Sequence, residues 1–219
     1  MSINCVRTLL EGAVAAHSEK VAVVHNERSI SYEELYCKVN QVAFYLNELD
    51  LPKDSRIGIY SNKGIEQVIA VLAILSTDYI LVPLTTLLKP EQVEYIINDC
   101  DIQCIITDKL KLESIEEINF SGHVISYETA GKEFASFEEI FKYYNKPYSC
   151  DISGHSNAVI TYSFGVSGNP KGIVISHRNL IDSARVVSQY LNLAHDDVIS
   201  GVLIFNLDYG LNQIFCTLY

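Results

Sequence analysis

A chain of 219 residues with 48% hydrophobic and 20% charged residues has enough apolar material for a sizeable core, which excludes disorder over most of its length. Its net charge of −11 argues against nonspecific binding to nucleic acid or to an anionic membrane surface, so any anion site must concentrate positive charge locally. The longest apolar run, Val68 to Leu75, is far too short to span a bilayer, and Arg7 and Glu11 interrupt the only apolar stretch near the start. No membrane span or signal peptide is therefore expected, and the expected location is cytoplasmic. The six cysteines show neither zinc nor disulfide-framework spacing and read as reduced, mostly buried thiols.

In chain order, Ser31-Tyr-Glu-Glu34 has the form of a capping box. Leu35, Val39, Val42, Ala43 and Leu46 follow at helical spacing, predicting an amphipathic helix to about Leu49. Pro52 and Asp54 make a turn before a short strand, Arg56 to Tyr60. A second helix is predicted over Gly64 to Ser76, then a buried strand from Tyr79 to Leu84. Pro90 suits the first turn of a third helix ending near Asp99. Strands are expected at Gln103 to Thr107 and His123 to Ser126. Lys142 to Asn157 reads as a long surface connection rich in turn-forming residues. Ala158 to Tyr162 and Gly172 to Ser176 are strands, His177 to Leu191 a helix, Asp197 to Leu203 strand-like, and Tyr209 to Tyr219 helical. Strands alternating with helices predict an α/β fold of right-handed βαβ units with mostly parallel sheets flanked by helices.

Chemistry concentrates between the strands that end at Tyr162 and resume at Gly172. The segment reads Tyr162-Ser-Phe-Gly-Val-Ser-Gly-Asn-Pro-Lys-Gly172. Glycines such as Gly165 and Gly168 permit backbone angles that let several N–H groups converge on one anion. Hydroxyls of Ser163 and Ser167 add neutral donors, and Lys171 adds a point charge suited to phosphate. A glycine pair alone would be an ordinary hairpin turn. The interleaved hydroxyls and the Pro-Lys-Gly ending favour phosphate binding. It is not a Walker loop, because Pro170 precedes the lysine and no helix begins there. Nor is Gly-x-Gly-x-x-Gly present.

This segment resembles the phosphate-loop signature Tyr-Thr-Ser-Gly-Thr-Thr-Gly-x-Pro-Lys-Gly of the adenylate-forming superfamily, which holds acyl-CoA synthetases, nonribosomal peptide synthetase adenylation domains and luciferases. Tyr162, Gly165, Gly168, Pro170, Lys171 and Gly172 match, and Ser163 and Ser167 preserve hydroxyls. Ser29 to Leu35 and Leu72 to Leu84 are similar to two earlier stretches of the same family, in the correct order. Phe164 and Val166 depart from it by replacing a serine and a threonine.

The resemblance implies an adenylate-forming ligase: a carboxylic acid and ATP give an acyl-adenylate, for transfer to the thiol of CoA or of an acyl or peptidyl carrier protein. It implies phosphate binding by Ser163, Gly165, Ser167, Gly168, Lys171 and Gly172. Ile204 to Gln213 resembles the family's substrate-pocket motif, in which Asp208 either pairs with a substrate ammonium or caps the helix that follows. Family members are roughly twice this length. The expectation is thus an incomplete amino-terminal domain over residues 1–219, with no catalytic residue assigned in it. Magnesium ligands, the adenine pocket and a mobile lid domain would lie in a complementary carboxy-terminal half. The alternative is a catalytically inactive remnant or binding module with at most a weak phosphate site. A phosphate-loop kinase or ATPase would need a Walker-type acidic strand, which the sequence lacks.

Overall fold

The computed structural model describes residues 4–129, 134–144, 148–163, 170–206 and 208–219. Helix α1 (Val6–His17) precedes a small antiparallel hairpin, β1 (Val21–His25) and β2 (Arg28–Ser31), whose turn places Asn26 at φ 54°. Asparagine tolerates that left-handed conformation better than most residues. Helix α2 (Tyr32–Glu48) starts on the predicted capping box: Glu34 N–H donates to Ser31 Oγ at 3.2 Å, and Ser31 N–H donates to Glu34 Oε2 at 2.9 Å.

The main body alternates β3 (Arg56–Tyr60), α3 (Ile65–Ile74), β4 (Ile80–Leu84), α4 (Pro90–Asp99) and β5 (Ile102–Thr107). A short 3-10 turn and α5 (Leu112–Glu117) lead to β6 (His123–Ser126), β7 (Ala135–Ser136) and α6 (Phe137–Tyr143). The chain closes with β8 (Asn157–Ser163), β9 (Lys171–Ser176), α7 (His177–Leu191) and α8 (Asp208–Leu218). Helix α7 ends on Asn192, which takes the left-handed C-cap conformation at φ 51°.

Seven strands form one sheet in the order β7-β6-β5-β3-β4-β8-β9. Every neighbouring pair is parallel except β8 and β9. Side chains alternate across the sheet. Ile57 and Ile59 of β3, Leu81 of β4 and Ile106 of β5 join the larger apolar cluster, with α1, α2 and α3. Tyr60, Val82, Leu84 and Ile105 point the other way and pack with Val93, Ile96 and Ile97 of α4. The two faces thus carry α3 and α4 respectively, as right-handed crossovers leading in opposite directions from β3 and β4 require. Helix α3 is apolar nearly all round and every residue from Val68 to Leu75 is buried, which explains its unbroken hydrophobic run.

The expected strand at Asp197 to Leu203 does not form. Residues 193–206 are irregular, Val198 is 94% and Val202 78% exposed, and no described strand offers them a partner. Their β-branched composition mimicked a strand; without a ladder to join, an extended segment leaves its backbone to water. Between α6 and β8 the described residues 148–156 contain no regular element, yet Tyr148 and Ile152 among them are buried. The six cysteines are all free. Among the described residues no helix is long and apolar enough to cross a membrane.

Candidate phosphate site and neighbouring cleft

Parallel pairing puts the carboxyl ends of β3, β4, β5, β6 and β8 along one edge of the sheet, and open α/β sheets bind ligands outside that edge. Strand β8 delivers Ser163 to this edge, and β9 returns from it antiparallel, with Ser163 opposite Lys171 and Tyr162 opposite Gly172. Ser163, Lys171 and Gly172 are all exposed at the base of the hairpin. Gly165, Ser167 and Gly168, together with the departures Phe164 and Val166, lie outside the described residues, so geometry brings together three of the six expected phosphate-loop residues. Asp208 is the first residue of α8; its side chain lies outside the described part.

Two features hold the hairpin base. The Tyr162 ring is buried on the α4 face, and its hydroxyl donates to Asp99 Oδ2 at 2.6 Å, at the last residue of α4. Burial first, then this bond to Asp99, pushes the phenol well above its ordinary pKa, so it stays a donor. Across the ladder, a Cβ at Gly172 would stand 3.1 Å from Ile160 Cγ2 and 3.3 Å from Tyr162 Cζ. Gly172 therefore lets the strand lie flat against that ring. The aromatic, the carboxylate and the glycine together fix the base of the hairpin.

Next to the hairpin, at the ends of β3 and β4, lies a cleft of about 260 Å³. Its lining includes Ser61, Lys63, Gln67 and Thr85, together with Phe205 and Asn206 from the stretch that resembles the substrate-pocket motif. Outside that stretch, the sequence signal was a run of polar residues directly after each buried strand, Ser61-Asn-Lys63 and Thr85-Thr86. The rim is well organised. Asn62 donates to Asp108 Oδ2 through its backbone N–H at 2.6 Å and its side-chain amide at 2.8 Å. Lys111 N–H donates to Asp108 Oδ1 at 3.1 Å. Ser61 Oγ and the Tyr127 hydroxyl share a bond of 2.8 Å, and burial raises the Tyr127 pKa far above the usual phenol range. Lys63 Nζ donates to the Gly201 carbonyl at 2.5 Å and sits 5.0 Å from the Phe205 ring centroid; burial lowers its pKa.

Among the described residues no group of three or more His, Cys, Asp or Glu is placed to hold a metal ion. The donor set at this edge is hydroxyls, amides and lysines, which suits an anion or a polar organic ligand.

Comparison with known proteins gives this arrangement a family. The chain is 26% identical over 213 residues to tyrocidine synthase 1 of Brevibacillus parabrevis, covering 97% of this chain and 19% of that protein. It is 27% identical over 213 residues to gramicidin S synthase 1 of Brevibacillus brevis, again covering 97% and 19%. A crystal structure assigned as a long-chain-fatty-acid CoA ligase from Rhodopseudomonas palustris superposes with a TM-score of 0.89 at 16% identity, over 98% of this chain and 55% of that one. That likeness shows the fold, and the chain spans only part of each relative. The AMP-binding enzyme family matches residues 10–219. A match over nearly the whole chain, on a parallel sheet whose edge carries the Ser163–Lys171 hairpin, means that the chain belongs to the AMP-binding enzyme family.

Proposed function

We propose that this chain carries the phosphate-binding part of an ATP-dependent acid–thiol ligase of the AMP-forming kind. The observation that supports it is the β8–β9 hairpin: Ser163 and Lys171 face each other, exposed, at the carboxyl edge of the sheet. Ser163 Oγ, Lys171 Nζ and the N–H groups of the glycine-bearing loop would hold the β- and γ-phosphates. Gly165, Ser167, Gly168 and Gly172 belong to that set by sequence. In the reaction a carboxylate oxygen attacks the α-phosphorus, the bond from that phosphorus to the bridging oxygen breaks, and pyrophosphate leaves with the electron pair. Lys171 and the loop donors neutralise charge on the departing group and act electrostatically rather than as bases. A thiol of CoA or of a carrier protein then attacks the acyl carbon, the bond from that carbon to the phosphate oxygen breaks, and AMP leaves. Magnesium, when bound, would neutralise phosphate charge; its ligands are proposed to lie outside the described residues, in a complementary carboxy-terminal half. Asp208, in the first turn of α8, is proposed to face the acid.

A second reading is a binding module that keeps the fold without catalysis. Phe164 and Val166 favour it, because each replaces a hydroxyl that the family signature places in the loop. A charge-assisted hydrogen bond to phosphate contributes roughly 1.5–3 kcal/mol, so two such losses would weaken ATP binding considerably. Pyrophosphate exchange with a panel of carboxylic acids, with and without a supplied carboxy-terminal half, separates the two. Acid-dependent exchange supports the ligase; no exchange under either condition leaves the binding module.

A further inference from the structure

The β8–β9 hairpin reaches past the sheet to which it belongs. Strand β8 joins the parallel body at one register position, Val159 opposite Leu81 of β4, and β9 is the outermost strand, paired with β8 alone. Ser163 lies four residues beyond Val159, about 13 Å along the strand. The end of the ladder that presents Ser163 and Lys171 therefore has no further strand partner among the described residues. Its tie to the body is a side chain. The Tyr162 hydroxyl donates to Asp99 Oδ2 at 2.6 Å. Among the described residues, Tyr162 is the one member of 160–163 and 171–174 whose side chain hydrogen-bonds outside the hairpin. The Cys100 thiol also lies within reach of that hydroxyl, as a far weaker acceptor.

Asp99 stands where helix electrostatics disfavour a carboxylate. It is the last residue of α4, at the negative end of the helix dipole, and the last turn of that helix holds no basic residue. A second carboxylate, Asp101, follows two positions on. Arg56, the guanidinium at this corner, is directed past Asp99: it donates to the Cys100 carbonyl, to Asp101 O at 2.8 Å and to Asp101 Oδ2 at 2.6 Å. Its other amino group donates to Asp54 O at 3.2 Å. Among the described residues Asp99 has no ion-pair partner of its own. The Arg56 bonds instead brace the α4–β5 turn, where Asp101 takes φ 52°, and so fix the place from which Asp99 reaches Tyr162. A carboxylate so placed is poor value for stability and well suited to holding one hydroxyl.

We propose that Asp99 is a positioning residue for phosphate binding: from the turn braced by Arg56 it fixes the Tyr162 hydroxyl, and so holds Ser163 and Lys171 where a polyphosphate meets them. The inference rests on the phosphate reading given above and deepens it. Asp99 acts through Tyr162 and not on the ligand.

Two measurements on the intact chain test it: ATP affinity by calorimetry, and hydrogen exchange along β9 without nucleotide. Asp99→Ala is expected to weaken ATP binding about threefold to tenfold and to speed exchange along β9 by a similar factor. Its melting temperature should move by no more than about 2 °C, because relief at the helix end offsets the lost bond. Asp99→Asn keeps an acceptor oxygen, so ATP affinity should stay within about twofold of the native chain, with a melting temperature equal or higher. In a Tyr162→Phe background Asp99→Ala should weaken ATP binding no further. Native ATP affinity together with native exchange in Asp99→Ala overturns the proposal. So does a full further loss in the Tyr162→Phe background, or an affinity that falls only as the melting temperature falls. No saturable ATP binding by the native chain, with exchange still faster in Asp99→Ala, retains Asp99 as the tether of the hairpin and overturns the phosphate reading.

Discussion

The centre of the sheet and its β9 margin are built on opposite terms. Around α3 every side chain from Val68 to Leu75 is buried, and β4 is buried along its whole length. At the margin, Lys171, Gly172, Ile173 and Val174 are exposed in sequence, and the irregular residues 193–206 beside α7 and α8 leave Val198 and Val202 open. The centre spends its residues on stability, each buried aliphatic side chain contributing roughly 1.5–3 kcal/mol. The margin keeps backbone and charge free for a ligand. Central substitutions should therefore change stability and spare affinity, whereas marginal ones should change affinity at a smaller cost in stability.

The largest expected effect breaks the centre. Leu72→Ala leaves a cavity beside a fully buried helix and should lower unfolding free energy by about 2–5 kcal/mol, read by denaturant titration. Nucleotide affinity should be unchanged wherever the variant remains folded. Acid probes the seam between the two regions. His177, at the start of α7, is 1% exposed, and its Nδ1 accepts from Val6 N–H at 3.4 Å. Burial, opposed by Asp78, lowers its pKa to about 4, so the folded state prefers the neutral ring. Its contribution is fully present above the unfolded value of about 6.5 and is lost as pH falls from there toward 4, on the order of 3 kcal/mol in all. Denaturation midpoints between pH 7 and pH 4 should fall more steeply for the native chain than for His177→Gln.

Smaller effects follow at the hairpin. Gly172→Val forces a side chain against Tyr162 and Ile160 and should cost about 1–3 kcal/mol, along with nucleotide affinity, because the β8–β9 ladder that carries Lys171 must shift. Tyr162→Phe removes only the bond to Asp99, so about 0.5–1.5 kcal/mol is expected in a thermal melt. Lys171→Ala should be the mildest for stability, within about 0.5 kcal/mol, since the side chain is exposed.

The same contrast decided what could be read from sequence. Helix α2 was legible because Ser31 and Glu34 cap it locally, and α7 because its pattern begins at Ser176 and stops at Asn192. The α/β class followed from β-branched runs between helices. Helix α1 carries the periodic set Val6, Leu9, Leu10 and Ala13, but Arg7 looked like a break; in the fold its guanidinium is buried, donating to Asn40 Oδ1 at 3.1 Å and to the Tyr148 carbonyl at 2.5 Å. The strand expected at Asp197 to Leu203 failed because β propensity needs a partner that the described residues do not supply. The hairpin base that carries Ser163, Lys171 and Gly172 was legible through the strands expected on either side of the glycine-rich segment. Gln67 was not, because only the folded chain shows that α3 and the segment before α8 meet over the same strand ends.

The central claim is that the hairpin recognises a polyphosphate. Titrating the chain with ATP and with AMP, and repeating both with Lys171→Ala, tests it most directly. ATP should bind at least about tenfold tighter than AMP, and Lys171→Ala should remove that difference while leaving the melting temperature unchanged. Equal affinity for ATP and AMP, or an ATP preference that survives Lys171→Ala, would contradict the account.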